Sequence, residues 1–247
     1  MIYICDKIKP SKKRGDYMEN LNNKFNDFLN EHRSSMDINT FNFLSREFNC
    51  AVTHYPYIVG PLAQVCSELK IDKKGDNDFY EEHFNKLKDN FDLGCNVLEV
   101  CSGILPVFSN LIAAHQIKIG VGTITAFDPK LFMQMSKYKN MKLHKEKVTL
   151  QTDISGFDLV TAILPCEATE DVLTLACQNQ KDFYIALCGC EHGNDEYEDY
   201  MYSQPHYERM INVAKKLVKE NNNGTLVIDK LSDKYNYDYP ILYNKRK

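Results

Sequence analysis

The sequence predicts an α/β fold: a mostly parallel sheet with helices on both faces, preceded by a cap built only of helices. Three observations predict it. From Asp92 onward, short apolar runs of strand type alternate with stretches whose apolar residues recur every three or four positions. Before that point only the helical period is present. At the end, two strand-type runs follow each other with no helix between them, which implies one antiparallel strand in the sheet.

Composition bounds this reading. A chain of 247 residues can bury one sizeable core and carry a smaller appended unit. No apolar run approaches the roughly 18 to 20 residues that span a bilayer, so no membrane partner is expected. The apolar start from Met1 to Cys5 is too short for a secretory signal. Nine cysteines, an odd number scattered along the chain, do not make a disulfide framework, and a reducing, cytoplasmic setting is expected. The net charge of −4 argues against wholesale coating by nucleic acid, though not against a local basic face. Oligomeric state is not legible.

Residues 1–15 form a basic arm, with Lys7, Lys9, Lys12, Lys13 and Arg14. It reads either as a phosphate- or RNA-binding tail or as a solvated terminus. Residues 16–91 form the helical cap. Tyr17, Met18, Leu21, Phe25, Phe28 and Leu29 make one apolar stripe. Asp37 can cap a second helix carrying Ile38, Phe41, Leu44 and Phe48. Gly60-Pro61 opens a third, with Leu62, Val65, Cys66 and Leu69 on its buried face. Asp78 and Glu81 have capping-box spacing for a fourth, which carries Phe79, Tyr80, Phe84 and Leu87. Four short helices bury little alone, so they should pack on the main sheet as a lid. Thr53-His54-Tyr55-Pro56-Tyr57 between them reads either as a pocket lining or as a plain turn.

Residues 92–247 hold the sheet. Strands are predicted at Val97–Val100, Ile124–Phe127, Val148–Gln151, Asp158–Leu164, Phe183–Leu187, Thr225–Asp229 and Tyr239–Tyr243. Helices are predicted from Leu105, over Lys130–Lys139, over Glu167–Gln178, and through Tyr207, Met210, Ala214 and Val218 to a stop at Asn223-Gly224.

The candidate site lies at the first strand. Glu99 is a carboxylate inside an apolar run, and Cys101, Ser102 and Gly103 are small residues where the strand must turn into a helix. Such a turn presents backbone N–H groups and the positive end of a helix dipole to a ligand. The second strand ends in Asp128, 25 positions beyond Gly103, where an acid can take both hydroxyls of an adenosine ribose. Carboxylate, small turn and distant acid together read as a nucleoside-cofactor site.

These residues, with Phe157-Asp158-Leu159-Val160 and the closing hairpin, resemble class I S-adenosylmethionine-dependent methyltransferases over about residues 92 to 247. The resemblance implies a Rossmann-like, seven-stranded sheet whose last strand is inserted antiparallel beside its neighbour. A dinucleotide-binding fold is the rival, but its G-x-G-x-x-G needs three glycines and only Gly103 is present. Ala162 to Asp171, with Cys188-Gly189-Cys190-Glu191-His192, is similar to blocks of a methyltransferase subfamily related to tRNA ribose methyltransferases. Three positions depart from the patterns: Cys101 and Leu105 replace turn glycines, and Leu164 stands where the subfamily has His.

The resemblance implies S-adenosyl-L-methionine as cofactor and methyl transfer to an acceptor that is an RNA or a small molecule. Glu99, Cys101, Ser102 and Gly103 would serve the methionine part, Asp128 the ribose, Asp153 the adenine, and Leu164 would border the cofactor. Glu167 would orient an acceptor, His192 would take its proton, and Cys166 would be a nucleophile or a buried small hydrophobe. Cys166, Cys188, Cys190 and His192 lack the C-x-x-C knuckle of a zinc site, so no metal is expected. Acidic Asp195 to Asp199, just beyond that rim, reads either as disfavouring a phosphate-rich acceptor there or as a solvated loop. Two other readings stay open: a catalytically inactive cofactor-binding subunit, and a nicotinamide-dependent oxidoreductase.

Overall fold

The computed structural model describes residues 79–132, 136, 138–188, 204–231 and 239–245, with helical residues at 20, 23–27, 29–31, 63–64 and 67. The chain divides into two compact units, residues 1–76 and 77–247. In the first unit the described residues are all helical, and Phe25 and Leu29 of the predicted stripe are buried. The basic arm, the predicted second helix and the aromatic segment at 53–57 lie outside the described residues.

The second unit begins with α1 (Phe79–Asn90), and β1 (Asn96–Val100), α2 (Val107–Ile119), β2 (Thr123–Phe127) and β3 (Met141–His144) follow. Then come β4 (Leu159–Ile163), a 3-10 turn at Cys166–Ala168, α3 (Thr169–Gln178), β5 (Asp182–Ala186), α4 (Gln204–Glu220), β6 (Thr225–Asp229) and β7 (Ile241–Lys245). The seven strands run in the order β3-β2-β1-β4-β5-β7-β6. The first five are parallel, and β7 lies antiparallel between β5 and β6. The closing pair therefore supplies the antiparallel strand that its missing crossover helix implied.

Strand alternation sorts the sheet into two faces. Leu98, Val100, Val160, Ala162, Phe183, Ile185 and Leu242 pack with α3 and α4 through Val172, Leu173, Met210 and Ala214. The opposite face carries Glu99 and Tyr184, which meet α2 and α1. Ser109 of α2 donates its hydroxyl hydrogen bond to Glu99. His83 of α1 is bonded to the Tyr184 hydroxyl at 2.9 Å, with both side chains buried. Lys86, also on α1, pairs with Asp229 at 2.7 Å, and that ion pair together with the Lys230 N–H holds the carboxyl below its usual range against the opposing effect of burial. The fourth predicted helix thus packs on the sheet within its own unit.

Two predicted elements need correction. The third strand is Met141–His144, not Val148–Gln151. It is an edge strand paired only to β2, so one side of it faces water and Lys142 is exposed; the alternating pattern hides it as an apolar run. Val148 is a lone buried anchor ahead of a turn closed by Thr149 and Thr152. Nor do the described residues of 130–139 form a helix. The Lys130 N–H goes to the Asp128 side chain, that of Leu131 to the Asp128 carbonyl, and that of Phe132 to the Ile104 carbonyl. Leu131 is wholly buried as a plug rather than as part of a helical stripe. Smaller shifts move β7 two residues later than predicted and start α2 at Val107.

Candidate functional site

The carboxyl ends of β1, β2 and β4 come together through named bonds. Ser102 donates its N–H to the Phe127 carbonyl at 3.2 Å, which extends the β1–β2 pairing by one step past the strand ends. Gly103 donates its N–H to Asp128 Oδ2 at 2.9 Å, while Lys130 donates to Oδ1 at 2.7 Å. The acid predicted to serve a sugar therefore sits against the small-residue turn and is itself held in place by two backbone donors. Burial raises the Asp128 pKa above the usual carboxylate value, against the lowering effect of those bonds and of the Lys130 charge. From the other side, Cys101 Sγ reaches the Pro165 carbonyl at 3.8 Å, joining the β1 turn to the β4 turn.

The backbone here is unusual. Cys101 (φ 60), Leu164 (φ 56) and Cys166 (φ 54) adopt the left-handed conformation, as does Gly103 (φ 81). For a residue with a Cβ this costs roughly 1–2 kcal/mol, so glycine is the easy solution at the first three and is absent from all of them. Burial pushes the Cys101 thiol up to about 12, helped by the charges of Asp128, Glu99 and Glu167 and opposed by Lys147. It is protonated at neutral pH.

Two features leave polar groups unmet at this corner. The hydroxyl of Ser102, a residue 5% exposed, has no hydrogen-bond partner. Beside it α2 follows Pro106 at its cap position with no side-chain cap and no acid in its first turn. A buried hydroxyl without a partner costs on the order of 1–3 kcal/mol, and an uncapped helix end leaves N–H groups and positive potential for an anion or a dipole.

Of the predicted residues, Glu99, Cys101, Ser102, Gly103, Asp128, Leu164, Cys166 and Glu167 belong to these turns and strand ends. Leu164 donates its N–H to the Ala186 carbonyl, Cys166 is half-buried, and Glu167 is exposed. Asp153 is not brought here. Its Oδ1 accepts from the Ser155 N–H, which holds its carboxyl below the usual range, and the Ser155 carbonyl takes the Lys181 ammonium directly before β5. That is the amino edge of the sheet, a full strand length away. The placement followed from the misassigned third strand. His192 and Cys190 lie outside the described residues, and Cys188 is buried just beyond β5.

Three contributors were not anticipated. Ser109 fixes the Glu99 carboxylate from one turn into α2, and a hydroxyl ten residues beyond a strand carboxylate was its only trace in the sequence. Phe127 and His144, at the ends of β2 and β3, stack with centroids 4.5 Å apart and planes 10° apart. Lys147 lies close enough for its charge to act on Cys101. The last two needed the correct β3.

The strand order, the antiparallel β7 and the β1–turn–α2 corner facing the acid of β2 decide the architecture. It is the class I methyltransferase fold. No protein-family model matches the sequence, and no curated protein matches it. Among solved structures, the chain is similar to a SAM-dependent methyltransferase from Aquifex aeolicus, 14% identical over 72% of this chain and 95% of that one, with a TM-score of 0.40. It is also similar to precorrin-6y C5,15-methyltransferase from Geobacter metallireducens, 12% identical over 70% and 93% of the two chains, TM-score 0.42. Human N-acetylserotonin methyltransferase, solved in complex with SAM, is 14% identical over 88% of this chain and 66% of its own, TM-score 0.42. Likeness at this level says nothing about substrate, and the fold stands on its own strand order.

Proposed function

We propose that the chain binds S-adenosylmethionine over the β1 turn and transfers its methyl group to an acceptor at the rim of β4 and β5. The observation that carries this reading is the corner where the partnerless Ser102 hydroxyl, the uncapped α2 terminus and the Asp128 carboxylate meet. These groups fit the cofactor: a carboxylate for its ribose hydroxyls, a hydroxyl and helix-end N–H groups for its methionine carboxylate, and a small-residue turn beneath them.

When bound, the cofactor supplies an electrophilic methyl carbon on a sulfonium, so transfer is an in-line displacement. The protein's part is positional. Each Asp128 oxygen already accepts one backbone N–H, which locks the carboxylate, and keeps a further lone pair for a sugar hydroxyl. Ser109 likewise fixes Glu99, whose carboxylate serves the amino group directly or through water. At the acceptor side Glu167 orients an N–H or O–H, and His192 takes its proton. Cys166, half-buried beside Glu167, packs against the acceptor rather than attacking it. Asp153 has no part in this arrangement.

A second reading, a unit that binds cofactor without transferring from it, is favoured by Cys101. Its side chain leans across to Pro165 at a turn where glycine would leave the space clear. Calorimetric titration of the full chain with S-adenosylhomocysteine and with NADH tests both. Binding of the first alone supports the cofactor assignment, and binding of NADH alone ends it. Transfer of label from tritiated S-adenosylmethionine into RNA, protein or metabolite fractions supports catalysis. Tight binding with no label in any fraction leaves the second reading.

A further inference from the structure

We propose that the β3 edge of this protein binds the phosphate backbone of a single-stranded nucleic acid and leads it to the rim described above; the destination, though not the binding, rests on the methyl-transfer reading. The chain is acidic overall, yet residues 130–147 hold six lysines against one carboxylate, Glu146. Of these, Lys130, Lys139, Lys142, Lys145 and Lys147 are described, and all five are exposed. Lysine on an edge strand ordinarily keeps other sheets from pairing there. That accounts for Lys142 but not for Lys130, Lys145 and Lys147, which lie in the loops at the carboxyl ends of β2 and β3.

The two lysines nearest the rim are tied to it. Lys130 follows Asp128 and is bonded to it through its N–H, and the charge of Lys147 acts on Cys101. Lys145 follows the carboxyl end of β3, and Lys142 and Lys139 extend the positive row from there away from the rim at about 3.3 Å per residue of extended chain. A row of positive charges along an edge matches a polymer with a charge on every unit. The stacked Phe127–His144 pair, half-buried at the head of the row, adds an aromatic plane of the kind on which bases stack. A lipid surface fits less well. It needs apolar side chains turned outward, and here Leu131, Met141 and Val148 are turned in.

The test is fluorescence anisotropy of the full chain with a labelled single-stranded RNA of about 20 nucleotides, and with DNA of the same sequence, across a salt series. Wild type should bind, with log affinity falling by about 0.7 per phosphate neutralised for each tenfold rise in salt. The variant K139E/K142E/K145E should lose roughly tenfold or more in affinity and about two from that slope. The control K215E/K216E/K219E on α4 makes the same charge change on exposed residues and should stay near wild type. Should the glutamate variant melt early, K139Q/K142Q/K145Q gives the same comparison. Equal RNA and DNA affinity assigns recognition to the phosphates alone, and tighter RNA adds the 2′-hydroxyls; both support the surface. Equal losses in the two triple variants would overturn it. So would failure of either nucleic acid to bind at low salt, or stronger, stripe-dependent binding to phosphatidylserine vesicles or polyglutamate. Titrating S-adenosylhomocysteine into the same samples separates the two proposals. Cofactor binding without nucleic acid removes only this surface, and nucleic-acid binding without cofactor removes only the methyl-transfer reading.

Discussion

The two edges of the sheet treat strained residues in opposite ways. At the amino edge, left-handed residues are helix stops. Gly120 ends α2, and Gln180 and Asn222 stand in the equivalent turns after α3 and α4, with neighbouring N–H groups closing back on the last helical carbonyls. Polar side chains there are spent on cohesion. Gln116 Nε2 reaches the carbonyls of Leu93, Cys95 and Thr123 at 2.9–3.2 Å, and Gly122 leaves the space, since a Cβ there would stand 2.7 Å from that nitrogen. Asn244 joins Phe183 to Asn223 in the same fashion. At the carboxyl edge the non-glycine left-handed residues are Cys101, Leu164 and Cys166, none of them ending a helix, and the Ser102 hydroxyl is left over. The amino edge also keeps unmet buried oxygens, at Asn140 and Asn223. What separates the edges is where the left-handed residues stand. At one they close helices; at the other they are held beside an unmet hydroxyl with no helix to close, as at an edge shaped for something besides folding.

The largest effects should separate these roles. Gln116→Leu strips the donor from three carbonyls in a region of close packing, and should lower stability by about 2–4 kcal/mol in urea titrations. Cofactor affinity of the folded protein should be unchanged; a matching loss of S-adenosylhomocysteine binding would break the division between edges. Asp128→Ala should show the reverse emphasis, weakening cofactor binding by about 1.5–3 kcal/mol by calorimetry. Full affinity in a folded variant would refute its placement on the sugar.

The pH dependence of binding sharpens the same point. Because burial raises the Asp128 pKa, its neutral form persists to higher pH than for an ordinary carboxyl. Only the ionised form accepts from two sugar hydroxyls. Affinity should therefore be full above the raised pKa and fall as pH drops through it, starting above the usual carboxylate range, by at most about tenfold per pH unit. The stability term has the opposite sense: the folded state binds the proton more readily, so Asp128 costs stability as pH rises through that window. Calorimetry between neutral and mildly acidic pH, on wild type and Asp128→Asn, should show the fall only in wild type.

How far the sequence reaches follows from burial. β1, β2 and β4 are paired on both sides and largely buried, so each carries an apolar run with no regular polar alternation, and their position is plain from composition. The corner of Ser102 and Asp128 was legible for the same reason, since its partners directly follow two such strands. β3 is an edge, and its Met141-Lys142-Leu143-His144 alternation carries half the signal of a buried strand. Losing it cost the Phe127–His144 stack and the lysine row, and sent Asp153 to the wrong end of the sheet. The left-handed turns were invisible in another way. Nothing in Cys, Leu or Cys announces a positive φ, and only the glycine expected by resemblance hinted at the conformation of Cys101.

That hint gives the smallest and most discriminating prediction. Cys101→Gly removes a left-handed cost of roughly 1–2 kcal/mol but adds back glycine's greater freedom in the unfolded chain, about 0.5–1 kcal/mol, for a net gain near 0.5–1 kcal/mol. It also removes the thiol that leans toward Pro165. Gly120→Ala at the amino edge, with open space around it and φ 82, should cost about 1 kcal/mol, because there glycine already sits where the backbone demands it. If Cys101→Gly gains stability and leaves cofactor affinity alone, the strain at the turn is merely tolerated. If it gains both, the thiol crowds the bound nucleoside. A loss of affinity despite the gain in stability would mean that the thiol and its contact with the β4 turn hold the site in its binding shape. Chemical denaturation paired with S-adenosylhomocysteine calorimetry on the same preparation decides among the three.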